Sequence, residues 1–298
     1  MAGGRPLLGV GNELLLGHLP GPPHQVVGNM TRSDWDDLPA SEREAITNQY
    51  GQIKDIRPAD SGNHADIAST VIGEHGTVFV KAARKLPEKD GPEVTSLRWE
   101  AKVNPFVNEF APRLLRSTEV EGWLVLVFEH IPGRHPDYSP GSCDLDLVAK
   151  AVHLLQKTSP PAVVDRPVTM RWHGIGGDAS PMSGQALLHT DINAKNVLIT
   201  PEDAVYFVDW AFVSHGAPWV EMGQMIPWLL SAGHTPASAE KWLHQFPAWR
   251  EADPTSIDQY ARLHTAVWTR RHEMVSAEWI GPYLADVRRW ASYRGVLE

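Results

Sequence analysis

The sequence predicts an α+β protein in two lobes: a five-stranded antiparallel sheet bearing one helix, then a mostly helical remainder. Three observations carry this expectation. Between Ile53 and Glu129, short apolar stretches rich in β-branched residues are separated by turn residues. A single helical segment, opened by Pro92, interrupts them after the third stretch. Beyond Ile131, Pro132 and Gly133 the apolar period becomes that of helices, apart from short strands around residues 189–209.

Each element follows from local chemistry. Ser41 with Glu44 three residues on is a capping-box pair, opening a helix to Tyr50 that Gly51 stops. Ile53–Ala59, Ile67–Gly73 and Thr77–Ala82 read as strands. They are joined through Ser61, Gly62 and Asn63, and through Glu74, His75 and Gly76. Pro92 sits at the start of a helix from Glu93 to about Val103, since proline is tolerated at a first helical position. Arg113–Thr118 and Trp123–Glu129, turning at Glu121 and Gly122, complete the sheet. Ser142 can cap a helix to about Lys157, with Leu145, Val148, Val152 and Leu155 on one face. Further helices are expected near Val220–Ala232, Pro236–Gln245, Pro254–Met274 and Pro282–Tyr293. Thr235 before Pro236 and Asp253 before Pro254 are cap-then-proline starts, and Gly295 is a stop. The expected organisation is a flexible tail over 1–29, an N-terminal lobe over 30–130 and a C-terminal lobe over 131–298. Met30, followed at once by a domain start, would be an alternative translation start.

Composition narrows the classes of function. Hydrophobic residues at 42% and charged residues at 21% are ordinary for a folded protein with a core. No apolar run reaches the length of a membrane span, and no signal peptide is read at the start. Cys143 is the only cysteine, which excludes an intrachain disulfide and a thiolate metal cluster and fits a reducing cytoplasm. The net charge of −9 and the absence of a long Lys/Arg run argue against a nucleic-acid partner. A monomer or weak dimer is expected.

The strongest chemical signal is the pattern H-x-D-x4-N at His189, Asp191 and Asn196, followed by an apolar strand, a turn and a second apolar strand ending in Asp209. Phosphoryl transfer needs an aligned acceptor hydroxyl and metal ions that hold the phosphates while charge shifts. A carboxylate five residues before an asparagine lets one loop do both. Asp191 would orient the hydroxyl and take its proton, while Asn196 offers a neutral oxygen and Asp209 a charged one to Mg2+. A hairpin whose Asp and Asn merely serve turns is the bland alternative.

These motifs resemble the aminoglycoside phosphotransferase family, relatives of the protein kinases that include choline and other small-molecule kinases. The resemblance runs from about Met30 to the C-terminus and is firmest between Ser61 and Asp209. It implies a bilobal protein-kinase-like fold with ATP in the cleft. His189 to Asn196 matches the family's catalytic loop, usually H-G-D-x4-N, with Thr190 in place of glycine. Asp209 and Trp210 match the metal-binding Asp and the residue after it. Lys81 resembles the strand lysine that grips the α- and β-phosphates, with Glu100 as its partner carboxylate and Glu93 as the alternative. Ser61, Gly62 and Asn63 would cover the phosphates. Backbone groups of Glu129 and Ile131 would pair with the adenine edge.

Other residues keep plainer readings. His189 is assigned to fixing the loop, Glu221 to supporting it or favouring a helix N-terminus, and Asn193 and Lys195 are left open. Eight of the twelve tryptophans lie between Trp210 and Trp290, where core packing explains most and an acceptor site some. Glu273, Glu278 and Asp286 sit among Arg270, Arg271, Arg288 and Arg289, so no acidic pocket can be read. The resemblance implies a small-molecule hydroxyl acceptor, an aminoglycoside or other antibiotic, and hence antibiotic resistance. A metabolite kinase acting on a sugar or amino alcohol, or a silent kinase-like binding module, are the alternatives.

Overall fold

The structure is a computed structural model that describes residues 33–59 and 65–297. The expectations for the 1–29 tail, for Met30 and for Ser61, Gly62 and Asn63 lie outside the described residues. The sheet consists of β1 (Ile53–Pro58), β2 (Ile67–Gly73), β3 (Thr77–Arg84), β4 (Leu114–Val120) and β5 (Trp123–Glu129). It is antiparallel throughout, in the order β1-β2-β3-β5-β4. Positive φ at Glu121 (45°) and Gly122 (80°) makes the tight hairpin between β4 and β5.

Two helices cover the sheet, one on each face, which is why β5 is buried on both sides. Trp123, Val125 and Val127 join Ile46 of α1 (Ala40–Tyr50) in one core. Leu124, Leu126 and Phe128 join Val94 and Leu97 of α2 (Pro92–Val107) in another. Each such side chain is worth about 1.5–3 kcal/mol of transfer free energy.

α2 also reaches the second lobe. Trp99 Nε1 donates to the Val213 carbonyl at 3.3 Å, and the Arg166 guanidinium stacks on the Trp99 ring at 3.9 Å. The helix extends beyond its expected end, through Pro105, whose missing N–H falls within its last turn.

The second lobe holds α3 (Asp144–Leu155) and two small ribbons: β6 (Ala186–Leu188) with β9 (Ser214–Gly216), and β7 (Val197–Ile199) with β8 (Val205–Phe207). Then come α4 (Trp219–Ser231), α5 (Pro236–Leu243), α6 (Pro247–Arg250), α7 (Pro254–Met274) and α8 (Ile280–Tyr293). Thr235 and Asp253 cap α5 and α7, accepting from Ser238 N and Thr255 N at 3.1 Å each. Two cap expectations differ. The Ser41–Glu44 box does not form: Pro39 is the N-cap of α1, and Ser41 Oγ donates to Glu121 Oε1 at 2.8 Å instead. α3 begins after Cys143, with Ser142 Oγ accepting from Asp144 N at 3.2 Å.

The tryptophans mostly pack the core. Tyr260 sits among Trp172, Trp219 and Trp290 at centroid distances of 5.6, 5.8 and 5.9 Å, and His264 stacks on it at 5.1 Å. Burial pushes His264 down to about 3 from the ordinary 6.5. Its stabilising contribution is therefore complete above pH 6.5 and is lost as pH falls towards 3. His264→Phe, which keeps a ring on Tyr260, is expected to lose about 2 kcal/mol less stability than the wild type between pH 7 and pH 5. Urea unfolding at both pH values measures it; equal losses would count against this assignment.

Candidate active site

Strand β3 delivers Lys81 to the mouth between the lobes, facing Glu100 on α2. Lys81 Nζ donates to Glu100 Oε2 at 2.8 Å and Oε1 at 3.0 Å, and to Asp209 Oδ1 at 3.2 Å. Burial alone would lower the ammonium's pKa, but the carboxylates of Asp209 and Glu100 reverse the sign and hold it as a cation. Burial raises Glu100, opposed by Lys81. Glu93 is half-buried and is not the partner of Lys81, which Glu100 takes.

The loop between β6 and β7 carries Asp191. The residue is 3% exposed, and its carboxylate accepts from Asn193 Nδ2 at 3.0 Å and Asn196 Nδ2 at 2.8 Å. Burial pushes it well above the usual carboxylate range. The Asn193 and Asn196 amides and Arg171 pull it down, while Asp209 adds to the rise. Asn193 also caps the turn Ala194–Asn196, accepting from Lys195 N at 2.8 Å and Asn196 N at 3.2 Å. Its role is thus structural at both ends.

His189 lies under the loop, edge-on to Trp210 at 4.7 Å. Its Nε2 is 3.0 Å from the Val208 carbonyl, and its Nδ1 accepts from Asp191 N at 3.3 Å, which fixes the Nε2–H tautomer. Burial takes it down to about 4, so it is neutral at pH 7 and braces the loop. Glu221 on α4 accepts from His189 N at 2.6 Å and Thr190 N at 2.9 Å. Burial raises it to about 7.

Asp209 has φ +65°, turning its carboxylate towards Lys81. The residue missed by sequence reasoning is Arg171. It lies in a turn without apolar period, and its Nη2 donates to Thr190 Oγ1 and, at 3.2 Å, to the Phe212 carbonyl.

A cleft of about 310 Å³ opens between the lobes. Ala68, Phe79, Phe128, Ile131, Leu198 and Val208 give it apolar walls suited to a flat ring, and Lys81, Glu100, Asn196 and Asp209 line its polar end. Lys195 also borders it. At the edge from Glu129 to Ile131, the Glu129 N–H is already committed to the Arg113 carbonyl at 2.9 Å. That leaves the Glu129 carbonyl and the Ile131 backbone groups for a ring edge, one group fewer than the sequence reading allowed.

Among the described residues no group of three or more His, Cys, Asp and Glu side chains is arranged to hold a metal. The polar end nevertheless suits Mg2+. One carboxylate and one amide oxygen are few ligands, and this ion takes its remaining oxygens from phosphates and water. Asn196 uses its Nδ2 on Asp191, leaving Oδ1 as the donor atom.

No family model and no curated protein matches the chain. Solved structures do. A choline kinase from Streptococcus pneumoniae superimposes with a TM-score of 0.57 at 13% identity, covering 85% of this chain and 100% of that one. A spectinomycin phosphotransferase solved with AMP gives 0.54 at 12% identity, covering 85% and 93%. An aminoglycoside phosphotransferase from Streptomyces rimosus, solved with ADP and streptomycin, gives 0.53 at 13%, covering 76% and 98%. These likenesses establish the bilobal, kinase-like fold.

Proposed function

We propose that the protein is an ATP-dependent phosphotransferase that moves the γ-phosphate to a hydroxyl of a small molecule, an aminoglycoside or other antibiotic. The observation that carries this reading is the sharing of Lys81 between Glu100 and Asp209, at a cleft into which Asn196 brings the loop of Asp191. In the proposed reaction the apolar walls take the adenine and Lys81 the α- and β-phosphates. Asn196 and Asp209 would hold Mg2+, which neutralises phosphate charge. Asp191 accepts the hydroxyl proton as that oxygen bonds the γ-phosphorus, and the bond from phosphorus to the β–γ bridging oxygen breaks to release ADP. Residues up to about 130 would form the nucleotide lobe and the rest the acceptor lobe. The reading goes with a cytoplasmic location, where ATP and Mg2+ are abundant.

A metabolite acceptor, such as a sugar, is the second reading, and the charges around Asp191 favour it. Arg171 and Arg271 both feel the Asp191 carboxylate, whereas Asp286 is engaged by Arg289 at 3.2 Å. A polyamine acceptor would prefer the reverse.

The test is ADP release from Mg-ATP across a panel of aminoglycosides, other hydroxyl-bearing antibiotics, sugars and amino alcohols, with Asp191→Ala as control. Acceptor-dependent release that vanishes in the variant is expected. Absence of nucleotide binding would turn the reading to a silent binding module.

A further inference from the structure

Thr190 holds a backbone conformation that its own side chain disfavours. Its φ is +66°, in the left-handed region where a β-branched residue is an outlier. Such conformations persist only where the surroundings over-determine them, and they cluster at functional sites. Here the surroundings are specific. The Thr190 N–H donates to Glu221 Oε1 at 2.9 Å, Oγ1 donates to the Phe212 carbonyl at 2.9 Å, and the same Oγ1 accepts from Arg171 Nη2. Arg171 Nη2 also reaches the Phe212 carbonyl at 3.2 Å, with its guanidinium 5.7 Å from the Phe212 ring.

One hydroxyl and one guanidinium therefore tie the neighbour of Asp191 to a residue three positions after Asp209. Arg171 belongs to neither loop. It projects from the turn Val168–Trp172, and its Nη1 is sealed from solvent without a hydrogen-bond partner. Burying a guanidinium this way is costly and is not needed to make the turn. Glycine at 190 would adopt the same φ and keep the N–H bond to Glu221, but it would lose both bonds of the hydroxyl.

We infer that Thr190 and Arg171 are positioning residues, a clasp that holds the loop bearing Asp191 and the loop bearing Asp209 at a fixed separation. The inference rests on the phosphotransferase reading, in which one loop supplies the base and the other a metal oxygen. Misplacement of either by an ångström is enough to impair transfer.

The full chain is tested as Thr190→Val, Thr190→Ser, Thr190→Gly and Arg171→Met. ADP affinity is measured with Mg2+ and with EDTA, and the ratio reports how well Asp209 and Asn196 are placed together. The ratio is expected to fall about tenfold in Thr190→Val and Arg171→Met and to survive in Thr190→Ser, which keeps the hydroxyl. Hydrogen–deuterium exchange should quicken over residues 188–196 and 208–214 in the first two variants, and not in the sheet. Thr190→Gly separates the clasp from folding. It relieves the strained residue, so its melting temperature should match or exceed wild type while the ratio falls as in Thr190→Val. A wild-type ratio and wild-type exchange in Thr190→Val would overturn the clasp, whatever Arg171→Met does. So would a Thr190→Ser variant as impaired as Thr190→Val. If wild type binds ADP without regard to Mg2+, the phosphotransferase reading falls, and the exchange data alone decide on the clasp.

Discussion

Asp191→Ala is expected to lower acceptor-dependent ADP release by about 10³-fold while Mg-ADP affinity stays within a few-fold of wild type. The two effects separate because Asp191 lies behind Asn196, outside the lining of the nucleotide cleft. Its carboxylate is desolvated, which raises its basicity, and is kept oriented by the amides of Asn193 and Asn196. Removing it leaves two amides short of an acceptor but also removes a buried carboxylate, so the fold should survive. Circular dichroism and steady-state kinetics with the best acceptor of the panel measure both. Near-normal kcat would exclude Asp191 as the base.

The second large effect is expected at Asp209. In Asp209→Asn, Mg-ADP should bind about tenfold or more weakly, with the affinity that the wild type shows in EDTA. The variant keeps a side chain of the same size but loses the charged oxygen that Lys81 now touches at 3.2 Å. Lys81 retains both Glu100 oxygens, and Glu100 is relieved of the carboxylate that helps to raise it. Stability should therefore change little. Titration calorimetry with ADP, with and without Mg2+, reads the result, and unchanged Mg-ADP affinity would remove Asp209 from the metal site.

Much of the architecture was legible because local signals and tertiary demands agree. The strands read clearly where turn residues bracket β-branched runs, and α7 begins at Pro254 as expected because Asp253 and the proline fix the start together. The signals failed where a competing contact won. Ser41 turned to Glu121, in the hairpin between β4 and β5, so the capping box never closed. α6 is a single turn and too short for any period to announce it.

At the candidate site, the order of Lys81, Glu100, Asp191, Asn196 and Asp209 along the chain could be read, and the fold brings Lys81, Glu100 and Asp209 into contact. Arg171 could not be read, since its meaning comes only from where Thr190 and Phe212 end up. The one hint was Thr190 itself, standing where the catalytic loop it resembles has glycine.

Helix α2 makes one consequence mechanical. Adjacent residues on it grip opposite lobes: Glu100 takes Lys81 from the sheet, and Trp99 takes the Val213 carbonyl and the Arg166 face. The helix is a crossbar pinned at its middle to both lobes, so rotating it by even a fraction of a turn would strip a carboxylate from a buried ammonium and pull an indole from its slot.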